Sequence, residues 1–314
     1  MSPPPTFESF SGWNIYEFFG LETFTGPLDI TDWNCDDLQI ILRQMIRIRT
    51  TSLALTDHIK EGQTVASPLP AIGSEALPTG LSRNLSPLDQ VIGTNYFLGH
   101  PLTVTDETFS LFAKAVGKET ETSCNAKEFY HAGSNTDKYW KAIKTRASEL
   151  AGDSKAKRPI VVAYIDAEDI ETSLAQDMLR LFQNEKYPVL FVCERSLPLQ
   201  NGESILDHQK YSAAQYADDF GIEWVVVDGC DVIAIANASA SLTDQIRKGR
   251  GVGLLETVNF DHETTKEFSD PILRLKQAMI ARGDINQAGF EILQTLEQQM
   301  VNATVTEANI TLTT

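Results

Sequence analysis

The stretch RPIVVAYIDAEDIETSLAQDMLRLFQNEKYPVLFVCE, residues 158–194, decides the fold. Ile160 to Ile165 and Val189 to Cys193 are short, β-branched-rich runs that stay apolar throughout, as strands do when both faces of a parallel sheet are covered. Between them, Glu171 to Glu185 places Leu174, Met178, Leu179 and Phe182 on one helical face, and Pro188 restarts the chain as a strand. This is the pattern of a βαβ unit. Toward the C-terminus, Trp224 to Val227 and Gly253 to Val258 supply two more strands. Helical patterns over His208–Phe220 and Asp231–Arg247 alternate with them, the latter with Val232, Ile235, Leu242 and Ile246 inward. Right-handed crossovers then predict an α/β fold, a doubly wound parallel sheet with helices on both faces. After Asp270-Pro271, helices near Ile272–Ala281 and Gln287–Val301 close the chain, and a Thr-rich tail is expected to fray.

Upstream, Leu38, Ile41, Leu42, Met45 and Ile48 recur at helical spacing behind Asp36 and Asp37, which suit a helix N-terminus. Residues 61–106 read as irregular with short helices, and Glu107–Val116 as another helix. Gly117–Gly133 is polar without a period and is expected to be a surface loop. Residues 1–30 crowd Phe7, Phe10, Trp13, Tyr16, Phe18, Phe19 and Phe24 behind three prolines. That much aromatic surface needs cover, on the chain's own body or on another subunit. The expected organisation is therefore an aromatic arm (1–30), one α/β domain (31–303) and a tail (304–314).

The 314 residues carry 26 basic and 43 acidic side chains, a net charge of −17, which argues against broad contact with nucleic acid or an anionic membrane. No apolar run approaches the roughly 20 residues that span a bilayer. Cys35, Cys124, Cys193 and Cys230 have neither CxxC nor metal-ligand spacing, so they read as idle thiols in a reducing, cytoplasmic setting. The expected partners are other protein chains or small molecules.

In an open parallel sheet, ligands sit beyond the carboxyl ends of the strands. That rule selects Asp166, then Glu194-Arg195-Ser196, Asp228-Gly229, and the region of Asn259 and His262. Oxygen ligands from neighbouring strand ends suit Mg²⁺ bridging a phosphate, with Asp166 the natural first ligand. An aspartate after a strand equally caps the next helix, and Asp169 competes for that place. No Walker loop or GxGxxG is present, and the turn after Ile165 has no glycine with which to cradle a phosphate. His58, His100, His131, His208 and His262 make no zinc-binding spacing. Gly99-His100 marks either a turn into the crevice or a structural histidine, and Glu75 reads as a solvated helix opener.

The order of segments resembles the alpha subunit of the thiamine-diphosphate-dependent component of 2-oxo-acid dehydrogenase complexes (pyruvate, branched-chain 2-oxo-acid and acetoin dehydrogenases). The similarity runs from about Leu42 to Ala303. Leu42–Arg49 looks like the family's opening helix, Ala71-Ile-Gly-Ser-Glu-Ala76 is similar to IGQEA, and Leu88-Asp-Gln-Val-Ile92 to GDQVI. Pro188–Glu194 resembles PVVFVCE, Val227–Val232 resembles VDGND, and Asp270–Leu275 resembles DPIxRL.

That resemblance implies the thiamine-diphosphate-binding fold, with thiamine diphosphate and Mg²⁺ gripped by this chain and a beta-subunit-like partner or a second copy completing the site. It also implies corresponding site residues. Asp166 stands where an aspartate binds Mg²⁺, but the family's two flanking glycines are missing. Ser196 replaces the asparagine that is the second metal ligand. Tyr96 replaces the arginine that neutralises the diphosphate, and Leu98 a histidine that faces substrate. His100 and His262 remain as candidate catalytic histidines, while Arg195 or Arg158 is a candidate relocated phosphate grip. Losing an arginine from a charge-assisted contact with a diphosphate costs a few kcal/mol, roughly a hundredfold in affinity. The expected function is thus a subunit-like protein with lost or weakened cofactor binding, kept for assembly, regulation or another ligand. The alternative is a working decarboxylating dehydrogenase alpha subunit.

Overall fold

The computed structural model describes residues 28–61, 70–93, 97–105, 108–115, 129–131, 136–152, 158–165, 170–198, 213–261 and 270–310. Its first element is helix α1 (Cys35–Lys60), followed by α2 (Ala76–Ser82), β1 (Gln90–Gly93), α3 (Gly99–Thr105), α4 (Thr108–Ala115), β2 (Phe129–His131) and α5 (Thr136–Ala151). Then come β3 (Val161–Ile165), α6 (Ser173–Asn184), β4 (Val189–Pro198), α7 (Ala213–Asp219), β5 (Glu223–Asp228) and α8 (Val232–Arg247). Strand β6 (Gly253–Asp261) and helices α9 (Pro271–Arg282) and α10 (Gln287–Ile310) complete the described chain.

Six strands form one sheet in the order β2-β1-β3-β4-β6-β5, and every described pairing is parallel. Because successive side chains point to opposite faces, β1 and β3 to β6 each feed two cores. Ile160, Val162 and Tyr164 pack with residues of α1, α2, α8, α9 and α10, while Val161, Ala163 and Ile165 pack with residues of α5, α6 and α7. Both faces are covered, as the continuously apolar strands required. The result is a parallel α/β sheet with helices on both faces, compatible with a doubly wound arrangement.

Several caps match the sequence logic. Asp231 accepts from the N–H groups of Ile233 and Ala234 at the start of α8, and Asp270 accepts from those of Ile272 and Leu273 at the start of α9. The cap of α6 is Thr172, which accepts from the Ala175 N–H; Asp166 and Asp169 lie outside the described residues. Gly80 lets α2 meet α8 closely: a Cβ there would stand 2.7 Å from the Val232 carbonyl oxygen.

Four expectations need correction. Residues 61–106 contain strand β1, and the supposed loop 117–133 contains strand β2 at its described end. Helix α5 lies where no element was expected, and it buries Tyr139, Trp140, Ile143 and Ala147. Helix α10 runs to Ile310, past the expected helix end at Val301. Leu28 and Ile30 also belong to the core.

Candidate functional site

The connection after β1 leads to β2 on one side, and the connection after β3 leads to β4 on the other. Such a reversal opens a crevice at the carboxyl ends of the two strands. Three described side chains from different elements meet near it. His100, in the first turn of α3, is 4% exposed and stacks on Tyr164 of β3, with ring centres 3.8 Å apart and planes 13° off parallel. Its Nε2 stands 3.7 Å from Oε2 of Glu194 in β4. Phe97 meets the same imidazole edge-on.

Asn259 of β6 donates from Nδ2 to Glu194 Oε1 at 3.3 Å. Glu194 Oε2 and His100 Nδ1 are enclosed and have no hydrogen-bond partner among the described residues. Burial, helped by the Glu194 charge, pushes the Tyr164 hydroxyl well above its ordinary range, so it stays protonated. Gly229 lets the end of β5 close onto this group, since a Cβ there would fall 1.8 Å from Asn259 Oδ1. Chemically, the cluster offers a carboxylate, an imidazole and an amide, which can hold a proton or accept a hydrogen bond.

The cations near these strand ends are matched by carboxylates. Arg195 of β4, 6% exposed, donates from Nη1 to Oε1 of the fully buried Glu256 at 2.9 Å, and Glu256 Oε2 accepts from the Ala214 N–H at 3.0 Å. Arg274 of α9 is paired with Asp228 at the end of β5. Burial pushes the Asp228 carboxyl up to about 6 against the pull of Arg274 and of the Cys230 N–H. Burial and the neighbouring Asp228 raise the Cys230 thiol, which makes it a poor nucleophile.

Arg49 of α1 completes a latch between helices. It donates from Nη2 to Glu75 Oε2 at 2.9 Å and from Nη1 to Asp270 Oδ2 at 2.9 Å, and its Nε also reaches Glu75. Glu75 further accepts from the Gly73 N–H. It is fully buried, so the expectation of a solvated helix opener is corrected: the Arg49 guanidinium compensates a carboxylate that burial would otherwise disfavour.

Of the candidate catalytic residues and phosphate grips, His100, Arg195 and Arg158 are described, as are the strand-end residues Glu194, Asp228, Gly229 and Asn259. His100 faces Tyr164 and Glu194, whereas Arg195 faces Glu256, so the two belong to separate polar groups. Arg158, the other candidate grip, donates to the Ala151 carbonyl oxygen. Asp166, Tyr96 and His262 lie outside the described residues; so does the Ser196 side chain, although Ser196 backbone registers with Asn259. Tyr164 and Glu256 were missed. A polar residue inside an otherwise apolar strand was the signal for each.

Arg49, Arg195 and Arg274 are held by Glu75 with Asp270, by Glu256 and by Asp228, whereas Asp166, Tyr96 and the Ser196 side chain, where the resemblance places a Mg²⁺-bound diphosphate, lie outside the described residues. Among the described residues, no group of three or more His, Cys, Asp or Glu side chains is arranged to hold a metal ion. No described helix is long and apolar enough to cross a membrane. No protein-family model matches the chain, and no curated protein matches it.

Proposed function

We propose that this chain is an alpha-subunit-like protein of the 2-oxo-acid dehydrogenase family, on the thiamine-diphosphate-binding fold, in which grip on the cofactor has been lost or weakened. Its role on this reading is assembly, regulation or the binding of another ligand in the crevice. It works in the cytoplasm as a homo-oligomer or with a beta-subunit-like partner. The observation that carries the reading is the engagement of Arg195 by Glu256. The one arginine added next to the family's metal-ligand position spends its charge inside the protein, so it does not replace the arginine exchanged for Tyr96. The parallel sheet covered on both faces and the crevice at the β1/β3 ends support the fold assignment without requiring the cofactor.

Calorimetric titration with thiamine diphosphate and Mg²⁺, with the chain alone and with any beta-like partner, tests this function. Heats indistinguishable from dilution are expected. Micromolar binding in either arm would reject it in favour of a working dehydrogenase subunit.

A further inference from the structure

Helix α10 buries one face and leaves another apolar. Phe290, Glu297 and Val301 are buried, with Glu297 tied to Arg43 and Arg47 of α1. A neighbouring flank carries Ile292, Leu296 and Met300, which are 60%, 46% and 50% exposed. Gly289 and Ala303 extend that row at spacings of three and four residues, the pattern of a seam made to receive another segment. Gly289 also lines an open depression at the α9–α10 corner with Ile280, Gly283 and Ile285 and the polar Asp284, Asn286 and Gln287, so the N-terminal end of the row opens onto that depression.

The described chain begins beside that depression. Leu28 and Ile30 pack in the same core as Phe290, with Ile285 and Leu293 against it; Arg282 donates to the Ile30 carbonyl oxygen, and Cys35 Sγ contacts the Asp284 carbonyl oxygen. The described chain therefore starts, at Leu28, by the α9–α10 corner, and residues 1–27 precede it. We propose that this segment of the same chain docks along the Ile292–Leu296–Met300 seam of α10, with its aromatic side chains as anchors. Fully extended, 27 residues reach up to roughly 90 Å, and α10 is roughly 36 Å long, so the reach is ample.

Composition favours the same occupant. Phe7, Phe10, Trp13, Tyr16, Phe18, Phe19 and Phe24 give the segment the apolar surface to cover such a seam, and its charged side chains are only Glu8, Glu17 and Glu22. Thr295 and Gln299, three residues on from Ile292 and Leu296, flank the seam, so the contact is apolar and only weakly dependent on salt. A second copy fits less well, because three side chains expose on the order of a few hundred Å², short of the roughly 800 Å² per partner of a stable interface.

Met300 reports on the contact directly, since sulfoxidation follows exposure of the sulfur. Peroxide oxidation of the full chain and of a chain lacking residues 1–27 is followed by peptide mass spectrometry, with buried Met45 and Met279 as controls for folding. Removal of the segment is expected to speed Met300 oxidation by about fivefold or more, with the controls unchanged. The full-length variant Phe7→Ser/Phe10→Ser/Trp13→Ser is expected to do the same. Equal Met300 rates in all three proteins would overturn the proposal. So would protection in the full chain that disappears on roughly hundredfold dilution, because a second copy would then be the cover. Protection that survives in the triple variant would also refute it, by removing the aromatic anchors from the contact.

Discussion

The buried pair Arg195–Glu256 can be tested by a double-mutant cycle whose outcome bears on function. Glu256→Gln keeps the shape of the side chain and an acceptor for the Ala214 N–H, but withdraws the charge facing a guanidinium that is only 6% exposed. Breaking one side of a buried pair costs about 3–5 kcal/mol, and the retained amide hydrogen bond brings the expectation to about 3 kcal/mol. Arg195→Met is expected to cost a similar amount by stranding the carboxylate. The double variant should cost clearly less than the sum of the two, with a coupling of about 2 kcal/mol. Urea midpoints at constant m-value measure all four proteins. The same samples, titrated with inorganic pyrophosphate, should show Glu256→Gln binding at least about tenfold tighter than the parent, as the guanidinium charge is released to an anion. A Glu256→Gln cost below about 0.5 kcal/mol with no coupling would refute the reasoning, for it would mean that the Arg195 charge never depended on Glu256.

Glu75→Ala should destabilise by about 3 kcal/mol in the same assay, since it strips the Gly73 N–H of its acceptor and leaves Arg49 with Asp270 alone; a loss under about 0.5 kcal/mol would restore the solvated reading. Gly80→Ala should cost about 1–3 kcal/mol despite the better helix propensity of alanine, because the new methyl meets the Val232 carbonyl oxygen. Gly152→Ala, with open space around it, serves as the near-neutral control. Asp228 gives a pH signature. Its carboxyl is raised to about 6 from 3.8, so the folded state holds the extra proton between these values, and the contribution to stability is full below about 4 and lost as pH rises through 6. Asp228→Asn should flatten that fall, which is worth at most about 3 kcal/mol, in urea midpoints taken from pH 4 to pH 7. An unchanged slope in the variant would remove Asp228 as its source.

The elements that sequence read well are those whose burial is total. β3 to β6 and the helices between them are continuous apolar runs and amphipathic repeats, and their cores close on both faces as such patterns demand. β1 and β2 escaped because each is very short, four and three residues, and depends on a neighbour for pairing rather than on its own composition. Helix α5 escaped for a different reason. Its buried side chains, Tyr139, Trp140, Ile143 and Ala147, sit among six charged residues from Asp137 to Glu149, and the mean composition conceals a clean inward face.

The site was legible only as a location. Strand-end logic placed Glu194, Asp228 and Asn259 together, but charge pairing is a property of tertiary contacts, and no spacing announces it. Arg195 and Glu256 are 61 residues apart, Arg274 and Asp228 46, and Arg49 and Asp270 221. Each pair ties an element at the carboxyl edge of the sheet to another, and together they turn that edge into a set of internal ion pairs. A charge committed to such a pair can bind an outside anion only after its carboxylate is displaced, at the desolvation cost of burying that carboxylate alone. The pairing that locks the helices to the sheet therefore also sets the anion affinity of the crevice, so stability and ligand preference should shift together whenever one of these carboxylates is neutralised.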